Sequence, residues 1–138
     1  MRKSLLAFSA VVLGTSVVSA NTAYQGRVDN DAYHIFAPLA GKPCRVEVVE
    51  KNEQQLRLVL TIGSNPSVAM TLPRTDADTY HFQGQPNRPS RSSIYEIDTQ
   101  TAKLKEGAIV VSETFRAYAT EGFFSESAVY KCRASEVK

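Results

Sequence analysis

The sequence predicts an all-β domain: a small antiparallel β-barrel, or barrel-like sandwich, of seven to eight strands closed by one disulfide. Three observations predict it. Apolar and polar residues alternate at period two over much of the chain from Cys44 onward, the spacing that sends every second side chain of a strand to one face. Turn-forming residues interrupt the alternation at intervals of roughly 8–12 residues, as in short-stranded sandwiches and barrels. Cys44 and Cys132 stand at opposite ends of the patterned stretch, each on an apolar face. A bond between them joins the first patterned strand to the last, which favours a closed barrel without exposed edges.

Cys44, Val46 and Val48 share one face of the first patterned strand, and Lys51-Asn52-Glu53 breaks the chain after it. Leu56, Leu58, Leu60 and Ile62 alternate with Arg57, Val59 and Thr61 in the clearest strand of all. Gly63-Ser64-Asn65-Pro66 is turn chemistry, so Val68, Met70 and Leu72 line the return strand of a hairpin. Pro73 ends that strand, and Thr75-Asp76-Ala77-Asp78 makes the next turn. Tyr80 and Phe82 then face one way, His81 and Gln83 the other. Pro86 and Pro89 exclude a central strand from residues 84–91.

Residues 94–97 read as a short strand, and Asp98-Thr99-Gln100-Thr101-Ala102 as a hairpin loop in which the Asp98 carboxylate accepts backbone N–H groups. A short helix capped by Asp98 and stopped by Gly107 is the competing reading. The stretch Ala108–Tyr118 is a long strand with Ile109, Val111, Phe115 and Ala117 on one face. Residues 119–126 form a loop, and Ala128, Tyr130 and Cys132 share the inner face of the last strand. Upstream of Cys44, Asn30 is placed to cap a helical turn that Pro38 ends early, so residues 21–43 are expected to be an extended arm, with residues 31–39 either extended or a single helical turn.

The first twenty residues supply an address. Arg2 and Lys3 precede an uncharged apolar run over residues 5–18, and Val18-Ser19-Ala20 carries small residues where a signal peptidase reads. This is the three-part pattern of a secretory signal, with cleavage expected after Ala20. The run is too short to span a bilayer. Export to the periplasm or beyond is therefore expected, with no membrane insertion after processing. The expected layout is a signal over 1–20, the arm over 21–43 and the barrel over 44–138, arm and barrel forming a single domain. Removing 20 of the 138 residues leaves 118, enough for one core.

Charge and cysteines bound the function further. The chain has 16 basic and 14 acidic side chains, and Arg2 and Lys3 leave with the signal, so the mature protein has 14 of each. A neutral domain without a Lys/Arg cluster lacks the electrostatic footprint of a nucleic-acid binder or of a basic membrane-surface helix. An even pair of cysteines in an exported chain reads as a disulfide. Closing so long a loop is worth at most roughly 4–5 kcal/mol. The rival reading, separate thiols for metal or redox work, lacks a Cys-x-x-Cys spacing or a histidine adjacent in sequence to a cysteine.

No nucleophile motif, phosphate-binding glycine loop or metal spacing is present, and no cofactor is expected. His34 lies in the arm and His81 opposite Tyr80 and Phe82, neither with an evident partner for general-base work. The chain is thus expected to bind rather than catalyse. Glu113 interrupts the apolar face of Ile109, Val111 and Phe115. A carboxylate there needs a partner such as an arginine, a bulge near Ser112 that turns it to solvent, a place at the barrel mouth, or a ligand to orient. Phe123 and Phe124, following Gly122 in a polar loop, are candidate anchors for a protein partner. Arg88 and Arg91 are candidate contacts to an acidic groove.

The preferred expectation is an exported binding protein acting through loops at one barrel end, with inhibition of an envelope or extracellular hydrolase as the role such rigid loops suit. Its plan is analogous to that of small bacterial lysozyme inhibitors, compact exported β-domains with a disulfide; their recognition-loop sequence is missing here, so the analogy is one of architecture. Alternatives are a lipocalin-like carrier of a small apolar ligand, or an envelope subunit that donates its 21–42 arm to a neighbouring strand edge.

Overall fold

The computed structural model describes residues 21–30, 37–86, 95–118 and 124–138 of the chain. The described residues form eight strands: β1 (Thr22–Val28), β2 (Pro43–Lys51), β3 (Gln55–Ile62), β4 (Val68–Pro73), β5 (Thr79–Gln83), β6 (Tyr95–Lys105), β7 (Ala108–Tyr118) and β8 (Phe124–Glu136). They form one antiparallel sheet in the order β4-β3-β2-β1-β8-β7-β6-β5. The sheet curls into a nearly closed barrel, as expected. Its seam falls between β4 and β5, which share one ladder bridge, Arg74 to Tyr80, and the turn bond from Thr75 N to Thr79 O at 2.9 Å.

Three elements differ from expectation. The segment before Cys44 is not simply an arm: Thr22–Val28 pairs with β2 on one edge and β8 on the other, so Pro43–Lys51 is the second strand. Tyr24 and Val28 point into the core, and the other side chains of this short strand are too mixed in polarity for alternation to reveal it. The sequence Ala37–Leu39 makes one 3-10 turn. Asp98-Thr99-Gln100-Thr101-Ala102 is neither loop nor helix but the middle of β6, paired with β7 along its full length. The hairpin turns instead at Glu106 and Gly107, with φ of 28° and 76°. Two successive positive φ values match the twist of the strands they join, and glycine takes one of them without strain. Finally, β8 starts at Phe124 rather than after residue 126.

The core follows period-two patterning. Val46, Val48, Leu56, Leu58, Leu60, Ile62, Met70, Leu72 and Tyr80 are buried together with Ile109 and Val111. Phe82 shares the inward parity of Tyr80 yet is 44% exposed, because it lies beyond the point where the β4–β5 seam is bridged.

Cys44 and Cys132 are bonded and buried, with Cα atoms 6.1 Å apart. They lie on β2 and β8, which flank β1 rather than each other. Two strand spacings of a flat sheet would separate them by roughly 9–10 Å, so the inner faces of β2 and β8 fold toward one another across β1. Gly26 is the inward position of β1 at this crease, opposite Cys44 on one side and Ala134 on the other. A Cβ there would collide with the Arg133 carbonyl oxygen and come within 2.7 Å of Ala134 Cα. Only glycine fits.

Candidate functional site

The two ends of the barrel are built differently. At one end the connections are short: residues 52–54, 74–78 and 106–107 join β2 to β3, β4 to β5 and β6 to β7. At the other, the mouth, lie the 29–42 connection, the β3–β4 turn and the strand ends Gln83, Tyr95, Tyr118 and Phe124. The 29–42 connection is pinned where it meets the barrel. Val28 N donates to Lys42 O at 2.9 Å, Gly41 N to Val28 O at 3.0 Å, and Arg27 Nη1 to Gly41 O at 2.9 Å. Asp29 pairs with Arg133 of β8 at 2.8 Å. These bonds hold Leu39 over the mouth.

Toward the mouth the interior changes character on the β6–β7 side. Inward parity on β6 runs Leu104, Ala102, Gln100, Asp98, and on β7 Ile109, Val111, Glu113, Phe115. Ala102, Ile109 and Val111 are buried, whereas Gln100, Glu113 and Phe115 are only half-buried and Asp98 is exposed. Across the barrel, Leu60, Ile62 and Val68 remain apolar. Between the two sides is a cavity of about 130 Å³, lined on its apolar side by Leu39, Leu60, Ile62 and Val68, with Asn65, Glu113 and Tyr130 as polar members of its wall.

Glu113 therefore keeps its inward direction at the mouth. The expected bulge is one strand over: Glu113 pairs with Tyr130 and Thr114 with Ala128, leaving Val129 of β8 unpaired. The bulge shifts the register beyond Tyr130, packs Val129 beside the cavity and leaves Ala128 partly buried against the core. Among the described residues the neighbours of Glu113 are Asp98 and Tyr130, each within hydrogen-bonding reach, and no arginine. Burial first, then the Asp98 hydrogen bond and charge, push the Glu113 carboxyl up to about 7 against a smaller opposing pull from Tyr130. The Tyr130 phenol is itself raised, chiefly by burial and then by the Glu113 charge. Tyr130 is 5% exposed, and its hydroxyl makes no hydrogen bond of full geometry although Glu113 stands beside it.

The remaining candidate residues are placed as follows. Phe123, Arg88 and Arg91 lie outside the described residues, as does the side chain of Phe124, and so does His34. His81 faces outward on β5, its Nδ1 2.8 Å from Thr101 Oγ1, in a shallow polar groove with Thr99, Thr114 and Arg116. Among the described residues no three His, Cys, Asp or Glu side chains cluster as a metal site would require. Asp98 and Tyr130 escaped the sequence reading as site residues. The polar run from Asp98 to Thr101 has the composition of a loop, and Tyr130 alternates with Cys132 as an ordinary core residue does; with β6 as one strand, Asp98 and Gln100 share the face of Glu113.

Compared with protein-family models, curated proteins and solved structures, the chain matches none.

Proposed function

We propose that this protein is an exported, non-enzymatic binding protein that engages a protein partner at the barrel mouth. The observation that carries the reading is the Glu113–Tyr130 wall of the mouth cavity: a half-buried carboxyl and a buried hydroxyl without a formed hydrogen bond, held on strands and facing an apolar wall. Polar groups kept in such a setting lower stability, and rigid β-strand supports make them suited to recognition. The buried Cys44–Cys132 bond agrees with an oxidising, exported compartment.

Two features weigh against the alternatives. Leu58, Leu60, Met70 and Tyr80 fill the interior, leaving no room for a lipocalin-sized ligand. The strand β1 is paired on both edges, so it is not free for donation to a neighbour.

Site-specific photo-crosslinking in the producing cell tests the proposal. A crosslinker at exposed Asn65, beside the mouth, is expected to yield a discrete protein adduct, and one at exposed Glu53, at the opposite end, none. Adducts from Glu53 alone, or from neither position, would refute it.

A further inference from the structure

The mouth cavity has a composition that selects among ligands. Its apolar side, Leu60, Ile62 and Val68, asks for a hydrocarbon stem. Its polar side offers the Glu113 carboxyl and the Tyr130 hydroxyl, and Asn65 of the exposed β3–β4 turn completes its polar lining. No cation is among the described residues that line it. The Tyr130 oxygen is the independent sign of a missing partner: the residue is 95% buried (5% exposed) and no hydrogen bond of full geometry satisfies it. Native interiors rarely leave such a group unpaired without a functional or solvent explanation.

We infer that the cavity binds an alkylammonium group, a primary amine on a short aliphatic stem, with the stem against Leu60, Ile62 and Val68 and the ammonium toward Glu113 and Tyr130. The inference rests on the reading of the mouth as the binding end and names what is bound there. An ammonium carries three donors and no acceptor, which suits the carboxyl and phenol oxygens, and its charge draws the Glu113 proton off. A carboxylate or phosphate would face the Glu113 carboxyl with the Asp98 charge close behind it. A neutral alcohol offers one donor and no charge. Size agrees: a cavity of about 150 Å³ accommodates benzene, so about 130 Å³ holds a stem of four or five carbons. Two sources share this chemistry, a free small amine and a lysine side chain presented by a protein partner.

The test is a titration of the oxidised protein, recovered from the producing cell, followed by amide NMR. The probes are n-butylammonium, Nα-acetyl-lysine amide, n-butanol and butyrate. Both amines should shift the amides of Glu113 and Tyr130 at concentrations on the order of millimolar, as expected for so few contact atoms. Butanol and butyrate should bind at least about tenfold more weakly, with Glu113→Gln costing the amines a similar factor. Tyr130→Phe should weaken amine binding several-fold with the rest of the spectrum unchanged, which separates lost binding from lost fold. Tighter binding of the lysine amide assigns the site to a partner's lysine, and tighter binding of butylammonium to a free amine; either supports the inference. Equal binding of butanol and butylammonium, or amine binding undiminished in Glu113→Gln, would overturn it. Failure here with the Asn65 crosslink intact removes the amine and leaves the mouth reading, whereas amine binding without that crosslink removes the protein partner and leaves the amine.

Discussion

Glu113 offers the sharpest quantitative test, because its position makes the stability of the whole barrel depend on pH in an unusual direction. In the unfolded chain the carboxyl titrates near its ordinary 4.5, and in the barrel near 7. Between those values the folded protein holds a proton that the unfolded chain has released. Folding is then opposed as pH rises: the contribution is level below about 4.5, is lost progressively across the window from 4.5 to 7, and is level again above it. At about 1.4 kcal/mol per pH unit the interval sets a ceiling of about 3.5 kcal/mol. Partial exposure of Glu113, with Asp98 facing solvent, reduces the expected loss to roughly 1–2 kcal/mol. Urea unfolding followed by far-ultraviolet circular dichroism at pH 5, 6, 7 and 8 measures it, with Glu113→Gln as the reference that cancels every other carboxyl. Glutamine keeps an N–H donor toward Asp98 and carries no charge. The variant should match wild type at pH 5 and exceed it by the same 1–2 kcal/mol at pH 8. Parallel curves for the two proteins, or a wild-type advantage that grows with pH, would refute the account of Glu113 as a carboxyl held mainly protonated.

Three further outcomes follow from particular contacts. Removing the disulfide with Cys44→Ala and Cys132→Ala opens a loop spanning 88 residues, and chain entropy puts the loss at up to about 4.6 kcal/mol; a loss below about 1 kcal/mol in urea unfolding would mean the crease across β1 holds without it. Gly26→Ala forces a methyl into the β8 backbone at Arg133 and Ala134, so thermal unfolding should report a loss of about 3 kcal/mol or more, and a wild-type midpoint would show that the strands part easily. Tyr130→Phe deletes a buried hydroxyl with no formed bond and should leave stability unchanged or raised by up to about 1 kcal/mol; a loss above that value would give the hydroxyl a structural partner.

The hairpin of β3 and β4 was legible because Leu56 to Leu72 alternate cleanly around a four-residue turn, and local signals of that kind survive any tertiary context. Strand β7 was legible to the residue for the same reason. By contrast, β6 carries Asp98, Thr99, Gln100 and Thr101 in succession. Its inward positions near the mouth are polar, so the strand lacks the contrast between faces by which alternation is recognised. The same polarity that hid the strand makes it part of the candidate site. Strand β1 was hidden differently. Seven residues of mixed polarity that include Gly26 read as weak, and only pairing on both edges makes them a strand.

Local chemistry along the chain determined the all-β class, most of the strands and turns, the pairing of two cysteines that had no other partner, and the anomaly of Glu113, since each rests on side-chain periodicity or on counting. Tertiary structure decided the rest. Closure runs through β1 and β8 and leaves its seam at β4 and β5, and the disulfide spans a crease whose depth depends on a missing Cβ at Gly26. Asp98 and Tyr130 meet Glu113 from strands on either side of it. Those are contacts between residues distant in sequence, and no periodicity within one strand specifies which neighbour it will face. Burial of a carboxyl and of a phenol is likewise a property of the closed barrel, because it is the surrounding strands that exclude the water around them.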